Sequence, residues 1–238
     1  MPTYNSEHYI FNYQAGSLAE KDIQKISAEQ EKCFSKICKT LKVNYEEKII
    51  YYLLDSPSEV GRLYGGSEPI NGFAIWGENK IYAVYNEEIK CIGYHEDVHL
   101  ISFMINSPTS DFVVEGLAMY FDESWWGIPN DVWASYYKDN EKLPLIEAML
   151  DNNVFANLDC AITYPLAGAF TKYLITTYGM DKYIAFYKTN SDMYQDACMK
   201  IFNCTLKDLE QNFWLKESQV QYDLTALQLL QDKNKINI

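Results

Sequence analysis

Long apolar runs are missing from this chain. No uninterrupted apolar stretch approaches the about 18–20 residues that a membrane-spanning helix needs, so no membrane span is expected. Basic residues are few: 20 Lys and Arg stand against 33 Asp and Glu, for a formal net charge of -13. Binding a phosphate backbone takes clustered Lys and Arg, so no nucleic-acid partner is expected. The C-x-x-C spacing is absent among the six cysteines, Cys33, Cys38, Cys91, Cys160, Cys198 and Cys204. Cys33 and Cys38 fall on a helical pattern, where cysteine serves as a small buried apolar residue, and the set is expected to be reduced and structural. Repeats and low-complexity tracts are absent too. The opening residues, MPTYNSEHYIFNYQ, lack the basic segment followed by an apolar one that marks a signal peptide, so a cytoplasmic location is expected. Histidine occurs only three times in 238 residues.

What is present describes an ordinary globular chain, with 48% apolar and 22% charged residues. Its length suits one compact unit or two subdomains sharing a cleft. Residues 17–41 carry Leu18, Ile23, Ile26, Phe34, Ile37 and Leu41 at helical spacing. KIIYYLLD (48–55) reads as a strand. Ser56, Pro57 and Glu59 then form a capping box, and Gly65–Gly66 ends that short helix. GFAIWGENKIYAVY (72–85) reads as two strands around a turn at 77–79. A helix capped by Asn86 is expected to run to about Asn106, with Gly93 inside it. Beyond NSPTS (106–110) the pattern is helical over about 111–123, 130–138, 144–151, 164–178, 180–189, 191–202, 205–218 and 222–232, with 151–163 as a loop. Trp125 and Trp126 offer either a cleft lining or core packing. The expected layout is α+β. An α/β subdomain with a mixed sheet covers 1–107, and a mainly helical subdomain covers 108–238, with a cleft between them.

Two of the three histidines stand four apart, in GYHEDVHLI (93–101). On a helix that spacing puts His95 and His99 on one face, one turn apart. Neutral imidazole suits Zn²⁺. Glu96 is rotated about 100° from His95, so it reaches a water on the metal rather than the metal itself. A catalytic zinc takes three protein ligands and keeps one open position. No third histidine is near, and His8 lies far off in a poorly patterned N-terminus. Glu115, in VVEGLAMYFDE (113–123), offers a carboxylate sixteen residues after His99, and Gly116 beside it permits close helix packing at the metal.

HEDVH followed by EGLAMYF resembles the HExxH-plus-Glu metallopeptidases, the gluzincins, and within them the peptidase MA-like group. YPLAGAFTKYLITTYGMDKYIAFYK (164–188) and ACMKIFNCTLKDLEQNFW (197–214) are similar to that group's later segments. The resemblance covers about residues 45–216, and the first 40 residues contribute little to it. It implies a zincin-like metallopeptidase fold, one Zn²⁺ per chain, and a peptide or protein as substrate. His95, His99 and Glu115 would hold the metal. Glu96 would act as general base and then pass the proton to the leaving amine. Tyr164, expected at a helix N-terminus before Pro165, would donate to the oxyanion. The strand around 81–85 resembles the family's cleft edge strand, with Gly72, Phe73 and Ala74 as its inner rim. One departure stands out. Thermolysin-like members carry an Asp four residues after the glutamate ligand, where this chain has Met119. Asp122, seven residues on, shares the Glu115 face and would orient a histidine instead.

The implied activity is peptide-bond hydrolysis, with endopeptidase action favoured because the aminopeptidases' G-x-M-E-N anchor is absent. Two other classes share the motif: a catalytically inactive binding protein on the same fold, and a zinc hydrolase of a non-peptide amide. Loss of Glu96 or of a ligand would mark the first, and neither is lost here.

Overall fold

Alternating aromatic and apolar residues build the sheet at the centre of the first half. The computed structural model of the chain describes residues 1–108, 110–140, 143–190 and 193–235. It has mixed helix and sheet in two compact units, Met1–Ile105 and Asn106–Ile238. No helix among the described residues is long and apolar enough to cross a membrane.

The first unit contains β1 (Thr3–Asn5), β2 (Tyr9–Tyr13), α1 (Leu18–Leu41), β3 (Ile49–Leu54), α2 (Pro57–Tyr64), β4 (Gly72–Ile75), β5 (Lys80–Val84) and α3 (His95–Ser102). The sheet order is β1-β2-β3-β5-β4. β2, β3 and β5 run parallel, and the two outer strands pair antiparallel. Phe11, Tyr51 and Ile81 stand in register and are buried. On the same face α1 buries Ile23, Ile26, Gln30, Phe34, Ile37 and Leu41, and its Phe34 ring meets Tyr9 edge to face at 6.0 Å. Val60 of α2 fills the opposite face against Leu54 and Val84.

The N-terminal residues are not the unpatterned segment expected from sequence, because β2 is an interior strand between β1 and β3. The long helix expected over 86–106 is also absent, and α3 has only eight residues. The Asn86 carboxamide accepts the N–H groups of Glu88 (2.9 Å) and Ile89 (2.7 Å), which closes a turn rather than starting a helix. Gly93 lies before α3 at φ +126, a backbone that glycine tolerates and other residues resist.

The second unit contains α4 (Asp111–Asp122), a short hairpin of β6 (Ser124–Trp125) and β7 (Ile128–Pro129), α5 (Asn130–Asn140), α6 (Ile146–Met149), α7 (Asn152–Ala156), α8 (Cys160–Tyr178), α9 (Met180–Tyr187), α10 (Tyr194–Phe202), α11 (Leu206–Glu217) and α12 (Leu224–Lys235). The hairpin packs Trp125 and Trp126 against a cluster of Trp133, Tyr136, Tyr137 and Leu227. The expected loop over 151–163 instead holds α7 and the start of α8. The Asp159 carboxylate caps α8 by accepting the Ala161 N–H at 2.9 Å. Pro165 therefore lies inside the helix rather than at its start. A capping box starts α11, with Thr205 and Asp208 bonded reciprocally. Thr109 in the expected linker, and residues 191–192 at an expected helix start, lie outside the described residues.

Glu217 ends α11 with a side chain only 4% exposed. Burial pushes its carboxyl up to about 7; Asp131 adds to this, while Lys216, Lys172 and Lys138 oppose it. The folded chain then holds a proton that the unfolded chain gives up near pH 4.5. Folded protein binds more protons across that interval, so stability falls as pH rises through it. Denaturant midpoints at pH 5 and pH 8 should show a smaller loss in Glu217→Gln than in the native chain. Equal losses would contradict the assignment.

Candidate metal centre

Helix α3 presents three kinds of side chain on three faces. At about 100° per residue, His95 and His99 lie about 40° apart around the axis, Glu96 about 100° from His95, and Asp97 about opposite the histidine pair. The two imidazoles are half-buried, with centroids 4.9 Å apart and planes at 88°. Glu96 is 9% exposed. It shares its surroundings with the first residue of β4: a Cβ added at Gly72 would stand 3.0 Å from Glu96 Oε1 and 2.8 Å from Cys91 Sγ. Glycine at 72 thus leaves space that the Glu96 carboxylate and the Cys91 thiol border.

Asp97 is fully buried and heavily bonded. It accepts hydrogen bonds from the Tyr9 hydroxyl, from the Tyr51 hydroxyl at 3.0 Å and from Gln30 Nε2 at 3.0 Å. Burial raises its carboxyl to about 8; the Tyr9, Tyr51 and Gln30 bonds pull it down and the nearby Glu96 charge adds to the rise. Gln30 also grips the turn before α3. Its Oε1 accepts the Gly93 N–H at 2.7 Å, and its Nε2 donates to the Gly93 carbonyl at 3.0 Å. Sequence reading passed over this network. The signal was a glutamine on the apolar stripe of α1, between Ile26 and Phe34.

Glu115 stands half-buried in α4. Its charge helps raise the carboxyl of Asp111 and the thiol of Cys160, although burial is the larger cause at both. The next residue serves a close helix contact, as expected, but the helix it admits is α8. A Cβ at Gly116 would lie 2.6 Å from Thr171 Oγ1 and 2.9 Å from the Ala167 carbonyl oxygen. Gly168 returns the contact, since a Cβ there would lie 2.7 Å from Met119 Cβ.

One ligand atom from each of His95, His99 and Glu115 lies within 4.8 Å of the others. Two imidazole nitrogens and a carboxylate oxygen are a donor set that zinc takes, and at bond lengths of about 2.0–2.1 Å tetrahedral ligand atoms sit about 3.3 Å apart. The group therefore fits one divalent ion with small side-chain adjustment. Glu7, His8 and Glu31 also meet this spacing. That group is already engaged: His8 Nδ1 is 2.6 Å from Glu31 Oε2, the His8 N–H donates to Glu31 Oε1, and the His8 ring stacks on Phe34 at 4.0 Å.

The remaining expected residues fall as follows. Tyr164 is the fifth residue of α8, not the first, so the helix N-terminus lies a turn away from it. Its half-buried ring sits 5.7 Å from Trp125 and stacks on Phe155 at 6.1 Å. Asp122 is the last residue of α4 and half-buried. Gly72, Phe73 and Ala74 are three of the four residues of β4, which is the terminal strand of the sheet. Of the segment 81–85, read as the edge, residues 81–84 belong instead to β5, which lies between β3 and β4.

Gly116→Ala should destabilise the chain by about 1–3 kcal/mol, because the Thr171 hydroxyl and the α8 backbone must move. Thermal unfolding measures this, and an unchanged midpoint would show that α8 yields freely. Compared with known proteins, the chain matches no family model and no curated protein.

Proposed function

We propose that the chain is a zinc-dependent peptidase of gluzincin type, with a zincin-like fold, that hydrolyses internal peptide bonds with an activated water. The observation that carries the reading is the approach of His95, His99 and Glu115 ligand atoms to within 4.8 Å, with Glu96 on the same helix as the histidines. Three ligands of this kind leave a fourth position for water or substrate. Zinc, when bound, supplies a Lewis acid and brings the pKa of a water to near neutrality.

The chain's own residues supply the rest. Glu96 cannot easily share the histidine face, so its carboxylate is available to take a proton from the attacking water and hand it to the leaving amine. Gly72 keeps side-chain bulk away from that carboxylate. The Tyr164 phenol would donate to the oxyanion as the carbonyl becomes tetrahedral. Asp122 would orient a ligand imidazole. A substrate in extended form would add to the edge of β4, along Gly72, Phe73 and Ala74, by backbone hydrogen bonds.

Glu96→Gln separates binding from chemistry. The variant should retain about one zinc per chain and lose hydrolysis by about 10²–10⁴-fold, the usual contribution of general acid–base catalysis. Turnover of a peptide and protein panel, with non-peptide amides alongside, measures it. Unchanged turnover would remove Glu96 from the chemistry. A zinc-loaded native chain inert to every peptide but active on another amide would move the substrate class.

A further inference from the structure

We propose that Gln30 is a positioning residue for the metal-binding helix: its paired bonds to the Gly93 backbone and its bond to Asp97 fix the roll of α3, and with it the direction of His95, Glu96 and His99. This rests on the metal reading above. The observations concern the first unit alone.

Helix α3 cannot hold itself. It has eight residues, and its N-cap, Tyr94, makes no side-chain capping bond. A helix that short is marginal by itself, so its orientation comes from what grips it. The grip is asymmetric. Asp97 projects about opposite the histidine pair and ends among Tyr9 of β2, Tyr51 of β3 and Gln30 of α1. The turn leading into the helix is held by the same Gln30 carboxamide at both Gly93 backbone groups. The carboxamide orientation is fixed, since its oxygen faces an N–H and its nitrogen faces a carbonyl and a carboxylate. Gln30 therefore holds both the entry to α3 and its buried face.

The tolerance is narrow. A roll of about 20° moves a side-chain tip about 5–6 Å from the axis by about 2 Å. Metal–ligand distances hold to within about 0.2 Å. A core filled with apolar side chains would stabilise the unit at least as well as a buried carboxylate network, but it would let the helix roll. Directional bonds do not.

Gln30→Leu in the full chain removes the clamp while keeping the volume, and Tyr51→Phe removes a single bond to Asp97. Zinc affinity, measured by competition with a chromophoric chelator, should weaken about 10–100-fold in Gln30→Leu, the usual cost of losing a group that orients metal ligands, and less in Tyr51→Phe. The visible spectrum of the cobalt(II)-loaded variants should lose intensity from its four-coordinate bands, and kcat should fall with KM held. A simply structural role would lower the melting temperature and leave the zinc affinity of folded protein and the cobalt spectrum unchanged. That result, within twofold of the native chain, overturns the proposal. If Gln30→Leu does not fold, Tyr51→Phe decides by the same two readouts. A native chain that takes up no zinc overturns the metal reading and this inference together. A native chain that binds zinc beside variants that bind it equally well overturns the inference alone.

Discussion

A buried carboxylate in an aromatic core is the constraint on which the first unit depends. Moving a charge out of water costs several kcal/mol; the three donors around Asp97 offset part of that, and burial still holds its carboxyl up at about 8. Removing any one of them leaves a buried acceptor short of a partner, at about 1–3 kcal/mol. The network therefore forces β2, β3, α1 and α3 into one mutual arrangement. Apolar packing alone permits sliding; Tyr9, Phe11, Phe34 and Tyr51 would tolerate it, and Asp97 does not.

A steric constraint plays the matching part in the second unit. Gly116 and Gly168 let α4 and α8 approach until backbone and side chain nearly touch, with Thr171 and Met119 filling the space that a Cβ would take. Glu115 is next to the first of these glycines, so its backbone is set by this close contact between α4 and α8. Directional polar bonds thus order the first unit, and glycine-permitted helix contact orders the second.

Much of this was legible in the sequence. The strands at 49–54, 72–75 and 80–84, the helix α1, the Ser56 cap of α2 and most helices of the second unit follow from periodicity and turn chemistry that act locally, while the Glu59 side chain meets Gln14 rather than completing the expected box. HEDVH and Glu115 stand out in the sequence because the proposed metal chemistry calls for that spacing, and their ligand atoms do come within 4.8 Å of one another. The errors have physical causes. Asn86 with two following glutamates reads as a helix start, but its carboxamide closes a turn instead. Pro165 reads as a first helical residue, but the Asp159 cap starts α8 earlier and the helix accommodates the proline. Strand order is non-local, so the edge fell on β4 rather than on 81–85. The Asp97 network was invisible because its four members stand at positions 9, 30, 51 and 97, and nothing local joins them.

The account stands on a metal ion held by His95, His99 and Glu115. The most direct measurement is anomalous scattering at the zinc absorption edge from crystals of the zinc-loaded chain. The account predicts one strong peak within about 2.0–2.2 Å of an imidazole nitrogen of each histidine and of a Glu115 carboxylate oxygen. A peak beside His8 and Glu31 instead, or no peak at the histidine pair, would contradict it.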